Sequence, residues 1–188
     1  MCFEINLILS ILEVLLIVNQ FKMKKILLVT ALLFMSNAFA TDDKDTFNQL
    51  KQLEGKWVGT INYSNRDAEP INLQYSIRSN GSALLEESNE GGIEMMTIFN
   101  LHNDNILATH YCAAQNRPVA ELKSNKSGII SLVTNQEKSG LDSNKEMFVE
   151  SWELNLMLEN KDIFIYEYKT IGPDGSGFTA KAEMKRVK

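Results

Sequence analysis

The residues of this chain whose types and spacing best suit chemistry are His110 and Cys112. On a β-strand, side chains two positions apart point to the same side, so these two would lie next to each other. An imidazole nitrogen and a thiolate are ligands of soft metal ions, but a metal site needs further ligands, which a carboxylate from a neighbouring strand would have to supply. The alternative is a hydrogen-bonded His110 inside the fold beside a packed Cys112, and it predicts no metal and no cofactor.

Glu150 is the second candidate, because strand alternation places it on the apolar face of Phe148, Trp152 and Leu154. An inward carboxylate is costly unless it is paired or hydrogen-bonded. It would orient the polar group of a ligand, or act as a base with a raised pKa. The alternatives are that Glu150 is solvated at the start of its strand, or that a β-bulge turns it outward.

Three further charged residues could join such a site. Glu86 and Glu87 put one acid on each face of a predicted strand, and the inward one could pair with Arg78 or His110. Arg117 follows the His110 strand in a loop, where it would either meet a carboxylate at the mouth of the fold or be solvated.

Aromatic residues are the remaining candidates for ligand contact. Aromatic walls with a few polar tips suit apolar or aromatic ligands, although they equally suit a filled core. The predicted contacts of a bound molecule are Trp57, Tyr75, His110, Glu150, Trp152 and Tyr166.

The elements that position these residues are mostly β-strands. Residues 71–77 alternate apolar and polar side chains, and about ten such segments follow one another at hairpin spacing. A short helix is predicted over 42–53, and residues 135–145 are predicted to form a loop. Because no helix is placed to connect parallel strands, the sequence predicts an all-β fold, an antiparallel up-and-down β-barrel of about ten strands after a short N-terminal helix.

The first forty residues are predicted to be a leader. Residues 23–40 have a Lys-Lys start, an apolar run and Ala38 and Ala40 before a cleavage point, which is typical of a signal peptide. Residues 1–22 are interpreted as an upstream extension before a start at Met23, with a membrane anchor as the alternative. This predicts a periplasmic or secreted protein whose single β-barrel domain spans 41–188, with no stable membrane span after cleavage.

Charge and cysteine content exclude several classes of protein. Residues 41–188 contain 16 Lys and Arg against 22 Asp and Glu, a formal net charge of −6, which argues against nucleic acid and anionic lipid as main partners. With Cys2 in the leader, Cys112 is alone, so neither an internal disulfide nor a zinc finger is possible.

Two segments resemble a known group. The string Leu53-Glu-Gly55-Lys-Trp57-Val-Gly59 after a short helix resembles the opening of calycin-type barrels, the lipocalin and fatty-acid-binding group. The segment His110-Tyr-Cys-Ala with Asn116-Arg-Pro118 resembles bacterial lipocalin-like proteins that are largely uncharacterised. The resemblance implies a barrel around a cavity with a helix at one end, and it supplies no substrate. Nitrobindin-type haem barrels share the Gly-x-Trp-x-Gly opening, but they use a histidine near the C-terminus, which residues 178–188 lack.

These observations favour an exported lipocalin-like barrel that binds a small, mostly apolar molecule in its interior. Two alternatives stay open. One is a barrel enzyme, an isomerase or a hydrolase, with His110 as acid or base and Glu150 or Glu86 as its partner. The other is an envelope protein-interaction module with an exposed apolar patch at Ile163 and Ile165.

Overall fold

The structure of the protein is a computed structural model that describes residues 43–156 and 159–188. The predicted leader therefore lies outside the described residues, and so does the end of the strand predicted over 148–158. Ten strands make up most of the fold. They are β1 (Gly55–Tyr63), β2 (Glu69–Arg78), β3 (Ala83–Glu90), β4 (Ile93–His102), β5 (Asn105–Tyr111), β6 (Val119–Lys126), β7 (Ile129–Thr134), β8 (Phe148–Asn155), β9 (Ile163–Ile171) and β10 (Thr179–Arg186).

Each strand pairs with its neighbours in the sequence, always antiparallel, and β1 pairs with β10 to close the sheet. The closure removes both sheet edges, which an open sheet would leave free to pair with other chains. The predicted closed up-and-down barrel of ten strands is confirmed.

Alternation along the strands fills the interior of the barrel. On β2, for example, Ile71, Leu73 and Tyr75 are buried, while Asn72 between them is exposed. A strand puts successive side chains on opposite faces, so one face of every strand contributes to a single core. The closely spaced core residues also include aromatic pairs such as Trp57 and Phe164, whose ring centroids are 4.8 Å apart with perpendicular planes.

A short helix closes one end of the barrel. The helix α1 (Asp43–Leu50) continues into a turn of 3₁₀-helix (Lys51–Leu53), in agreement with the predicted helix over 42–53. Its side chains Phe47 and Leu50 are fully buried. The Asp43 carboxylate accepts a hydrogen bond of 2.8 Å from the backbone N–H of Ile106 at the start of β5. This contact fixes the helix over the end of the sheet, which we call the closed end.

The predicted loop over 135–145 contains one element that the sequence analysis missed, the helix α2 (Gln136–Ser139). The Asn135 side chain caps it by accepting a hydrogen bond from the backbone N–H of Lys138, and Gly140 ends it in a left-handed conformation. A helix of one turn is too short to show an apolar period, so only the capping residues Asn135 and Gly140 could have indicated this helix. Within 43–156 and 159–188, no helix has the length and apolar character needed to cross a bilayer.

Candidate functional site

Four inward side chains form a row across consecutive strands. Tyr75 on β2 lies opposite Glu86 on β3, Glu86 lies opposite Thr97 on β4, and Thr97 lies opposite His110 on β5. Directly opposed residues of an antiparallel pair have their Cβ atoms close together, so the register alone brings these four into contact. All four are buried. We call them the polar row.

Glu86 is the centre of this polar row. The Tyr75 hydroxyl donates to its Oε2 at 2.5 Å, and the Thr97 hydroxyl donates to its Oε1 at 3.1 Å. From the far side of the barrel, the Tyr166 hydroxyl of β9 also approaches Oε1, at 3.4 Å. Burial raises the pKa of Glu86 to about 7, even though these hydroxyl donors favour the ionised form.

His110 ends the polar row. Its Nδ1 lies 2.9 Å from the Thr97 Oγ1, and its ring meets the ring of Trp152 edge-on, with centroids 5.5 Å apart. Burial lowers the pKa of His110 to about 4, because a charged imidazolium would lose its hydration in the barrel. At neutral pH the imidazole is therefore neutral, with one ring nitrogen protonated and the other a hydrogen-bond acceptor.

A second buried carboxylate, Glu90, lies closer to the end of the barrel opposite α1. Its Oε2 accepts hydrogen bonds from the Tyr168 hydroxyl at 2.9 Å and from the Tyr63 hydroxyl at 3.0 Å. The Arg66 guanidinium lies over the Tyr63 ring, 3.7 Å from its centroid, and 3.8 Å from a Glu69 carboxylate oxygen. Burial raises the pKa of Glu90, and the two hydroxyl donors and Arg66 act in the opposite direction.

Between His110 and Glu90 the described residues leave part of the interior unfilled. A cavity of about 190 Å³ lies there, at the end of the barrel that α1 does not cover, which we call the open end. Most of its lining is apolar or aromatic. The lining includes Arg66, Glu90, Met95, His110, Cys112 and Trp152, together with Tyr166, Tyr168 and Phe178.

Five of the predicted ligand contacts point into the barrel. His110, Trp152 and Tyr166 line the cavity, whereas Trp57 and Tyr75 are packed below it and do not reach it. The Trp57 indole N–H donates to the Leu53 carbonyl oxygen at 2.7 Å, so this side chain belongs to the closed end.

The inward orientation predicted for Glu150 is wrong. Glu150 is exposed, because β8 contains a register shift between Val149 and Ser151 that leaves Glu150 without a paired residue. This is the β-bulge alternative: an extra residue in one strand reverses the alternation of side chains beyond it. Phe148 and Val149 are consequently both buried, and Glu150 does not face His110.

The inward acid is Glu86, and it reaches His110 only through Thr97. Arg78, the other predicted partner of that acid, is exposed, and so is Arg117, in agreement with its solvated alternative. Cys112 follows the end of β5, so the strand predicted through it ends one residue earlier. Its side chain is half-buried and lines the cavity together with His110. Burial raises the pKa of its thiol. In the part of the chain that the structure describes, no three His, Cys, Asp or Glu side chains are grouped closely enough to hold a metal ion.

Sequence reasoning missed Thr97, Glu90 and Arg66. Strand alternation puts Thr97 and Glu90 on the inner face. Threonine is common on both faces of strands, so its type did not mark Thr97 as a site residue. Glu90 comes just before the Gly91-Gly92 turn, where the sequence predicts the end of the strand. Arg66 belongs to the loop between β1 and β2, whose path does not follow from any periodicity.

The exposed apolar residues also differ from the prediction. Ile163 and Ile165 are half-buried, since they lie opposite the long side chains of Lys185 and Glu183 on β10. The large apolar side chains that the described residues do expose are Val58, Ile93, Met96, Tyr111, Met147 and Val187.

No protein-family model and no curated protein sequence matches this chain. Among solved structures, the barrel is similar to a protein of unknown function from the DUF3598 family of Nostoc punctiforme PCC 73102, with a TM-score of 0.52 and 13% identity. The match covers 73% of this chain and 48% of that one, so this chain spans about half the length of that protein. At such an identity the likeness shows the fold alone.

Two further structures are less similar. EF1p2_mFAP2b bound to DFHBI matches with a TM-score of 0.38 and 9% identity, over 75% of this chain and 98% of that one. The redesigned β-barrel b11L5F_LGL matches with a TM-score of 0.36 and 14% identity, over 73% and 94%. TM-scores this low do not establish a common fold. The ten-stranded barrel fits the calycin-like fold that the resemblance implied, whereas membership of the lipocalin-like group stays a prediction.

Proposed function

We propose that this protein binds a small, mostly apolar molecule in the cavity at the open end of the barrel. The observation that carries the proposal is the cavity itself: it is lined by aromatic and apolar side chains, and the buried polar groups of His110 and Glu90 border it. Pockets that bind small molecules have this composition, an apolar wall with a few polar groups that orient the ligand.

The volume of the cavity limits the ligand. An apolar protein cavity of roughly 150 Å³ holds a benzene molecule. A cavity of about 190 Å³ therefore suits a molecule of one or two fused rings. It is smaller than the roughly 300–1,000 Å³ typical of sites for larger ligands.

An isomerase or hydrolase on the same barrel is the second candidate, and the contacts of His110 favour binding over it. A general base needs its proton acceptor close to the reacting group and a pKa near the working pH. Burial lowers the pKa of His110 to about 4, which makes it a weak base at neutral pH. The carboxylate of its hydrogen-bonded row, Glu86, is separated from it by Thr97.

We also propose that the protein acts in the periplasm or outside the cell, which rests on the signal-peptide pattern of residues 23–40. The mass of the protein recovered from the periplasm tests this directly. Cleavage after Ala40 predicts the mass of residues 41–188, and an uncleaved chain in the cytoplasm would contradict the proposal.

Cys112 offers a local test of binding, since its thiol lines the cavity. Indole is a suitable probe because it is a small fused-ring molecule. Indole should slow the alkylation of Cys112 by iodoacetamide, measured by mass spectrometry of the peptide that contains Cys112. A bound ring covers the half-buried thiol and keeps the reagent from it.

A matched pair of variants controls this experiment. Met95 lines the cavity and Met96 is exposed on the outer face of the same strand. Met95→Trp should fill the cavity and abolish the protection by indole, whereas Met96→Trp should leave it unchanged. Equal protection in both variants, or none in the unmodified protein, would overturn the proposal.

A further inference from the structure

The hydroxyl protons around Glu86 determine the direction of the hydrogen bonds in the polar row. Tyr75, Thr97 and Tyr166 each have one hydroxyl proton, and all three hydroxyls point at the Glu86 carboxyl group. An ionised carboxylate can accept all three hydrogen bonds, whereas a protonated carboxyl group would have to donate to one of them. Above about pH 8, where Glu86 is ionised, the single proton of Thr97 is used in the bond to Glu86.

The same proton count determines the tautomer of His110. Because the Thr97 oxygen donates its proton to Glu86, it must be the acceptor in its 2.9 Å contact with the His110 Nδ1. Nδ1 is then protonated. A neutral imidazole has one N–H only, so Nε2 is a bare acceptor, and the ring of His110 lines the cavity.

Glu90 adds a second acceptor to the cavity wall. The Tyr168 hydroxyl donates to its Oε2 at 2.9 Å, and the Tyr63 hydroxyl lies 3.0 Å from the same oxygen and 3.4 Å from a Glu69 carboxylate oxygen. Both contacts of Glu90 use Oε2, which leaves Oε1 with capacity for a ligand. Arg66 is the charged donor in the lining, but it is exposed to water and engaged with the Tyr63 ring and with Glu69. The Trp152 indole N–H is an uncharged donor in the same wall, and its ring lies edge-on to His110. The Thr170 hydroxyl donates to the Phe178 carbonyl oxygen.

From these contacts we infer that the cavity selects a ligand whose polar group donates a hydrogen bond, an N–H or O–H group on an apolar ring, and that it disfavours carboxylates. The His110 Nε2 is the receiving atom, and Glu86 and Thr97 are positioning residues that fix its tautomer. When they are ionised, the buried carboxylates Glu86 and Glu90 repel an anionic ligand. This inference rests on the proposed function, because it names the chemical class of the ligand bound in the same cavity.

The tautomer is measured without any ligand. ¹⁵N NMR of the imidazole groups, at a pH above about 8 so that Glu86 is ionised, distinguishes protonated from bare ring nitrogens. We expect Nδ1 of His110 to be protonated and Nε2 to be bare. His102, which is exposed, serves as the reference histidine in the same spectrum. A protonated Nε2 with a bare Nδ1 would overturn the inference.

The ligand class is measured with two probes of nearly the same shape, again at a pH above about 8 so that Glu86 is ionised. Indole has an N–H donor where benzofuran has an oxygen that cannot donate. One hydrogen bond to a buried acceptor is worth about a factor of ten in affinity, so indole should bind about tenfold more tightly than benzofuran. Benzoate, the anionic probe, should bind more weakly than both.

Thr97→Val tests the positioning role. Valine has nearly the shape of threonine but cannot accept the Nδ1 proton, so the tautomer of His110 should switch and the preference for indole should disappear. Thr109 is a half-buried residue on the outer face beside His110, so Thr109→Val is the matched control. This variant should keep the His110 tautomer and the preference for indole. Equal affinity for indole and benzofuran in the unmodified protein, or tight binding of benzoate, would overturn only the inference. Absence of binding by any probe would overturn the proposed function as well.

Discussion

The two ends of the barrel differ in how the interior is filled. The interior of a barrel of ten strands is wider than alternating side chains easily fill. At the closed end, α1 and the rings of Trp57 and Phe164 fill the space. At the open end, the side chains of His110 and Glu90 surround a cavity instead. The closed end is therefore the more densely packed, while the open end is organised around hydrogen-bonding groups and unfilled volume.

Truncating a large side chain should therefore cost most at the closed end. Trp57→Ala removes a fully buried ring that packs edge-on against Phe164 and hydrogen-bonds Leu53, so we expect the free energy of unfolding to fall by about 3–5 kcal/mol. Phe178→Ala removes a half-buried ring at the edge of the cavity, and should cost about 1–2 kcal/mol. Urea denaturation measures both values. A larger loss for Phe178→Ala would contradict the comparison.

Protonation of the polar row should give the next largest effect. The pKa of His110 is about 4 in the folded protein against 6.5 in the unfolded chain, so His110 reduces stability as the pH falls from 6.5 to 4. The pKa of Glu86 is about 7 against 4.5, so Glu86 reduces stability as the pH rises from 4.5 to 7. Each effect is about 3 kcal/mol, and in the unmodified protein they oppose each other.

Two variants separate these opposing effects. Glu86→Gln leaves the His110 effect alone, so its stability should fall steeply below pH 6.5. His110→Phe leaves the Glu86 effect alone, so its stability should rise as the pH is lowered from 7 to 4.5. Urea denaturation over a series of pH values gives the two profiles. If the profiles run parallel, the two groups are not buried as the structure places them.

The smallest expected effect concerns how α1 is held at the closed end. Asp43→Ala removes the acceptor of the Ile106 N–H, and we expect a loss of about 1 kcal/mol. Asp45→Ala is the matched control, because Asp45 is an exposed acid in the same first turn and has the same favourable interaction with the helix dipole. The difference between the two unfolding free energies isolates the hydrogen bond. Equal losses of unfolding free energy in the two variants would show that the hydrogen bond to Ile106 adds nothing to the effect of the charge.

The fold could be predicted from the sequence because it depends on local alternation. The apolar and polar alternation around Tyr75 predicts strand β2. The short spacing between successive strands predicts that each pairs with the next in an antiparallel sheet, and a sheet of ten such strands closes into a barrel. The candidate site was harder to predict. Thr97 connects Glu86 to His110, but a threonine on a strand gives no sign that it has a polar partner on either side. Glu150 was misplaced because one bulge changes the face of every residue beyond it, and no residue type indicates a bulge reliably.

The central claim, that the cavity at the open end binds a small molecule, is tested most directly by native mass spectrometry. The unmodified protein, Met95→Trp and Met96→Trp would each be incubated with indole. We expect a complex with one indole in the unmodified protein and in Met96→Trp, released on denaturation, and no complex in Met95→Trp, in which the added ring occupies the cavity. A complex that persists in Met95→Trp, or the absence of a complex from all three proteins, would contradict the account.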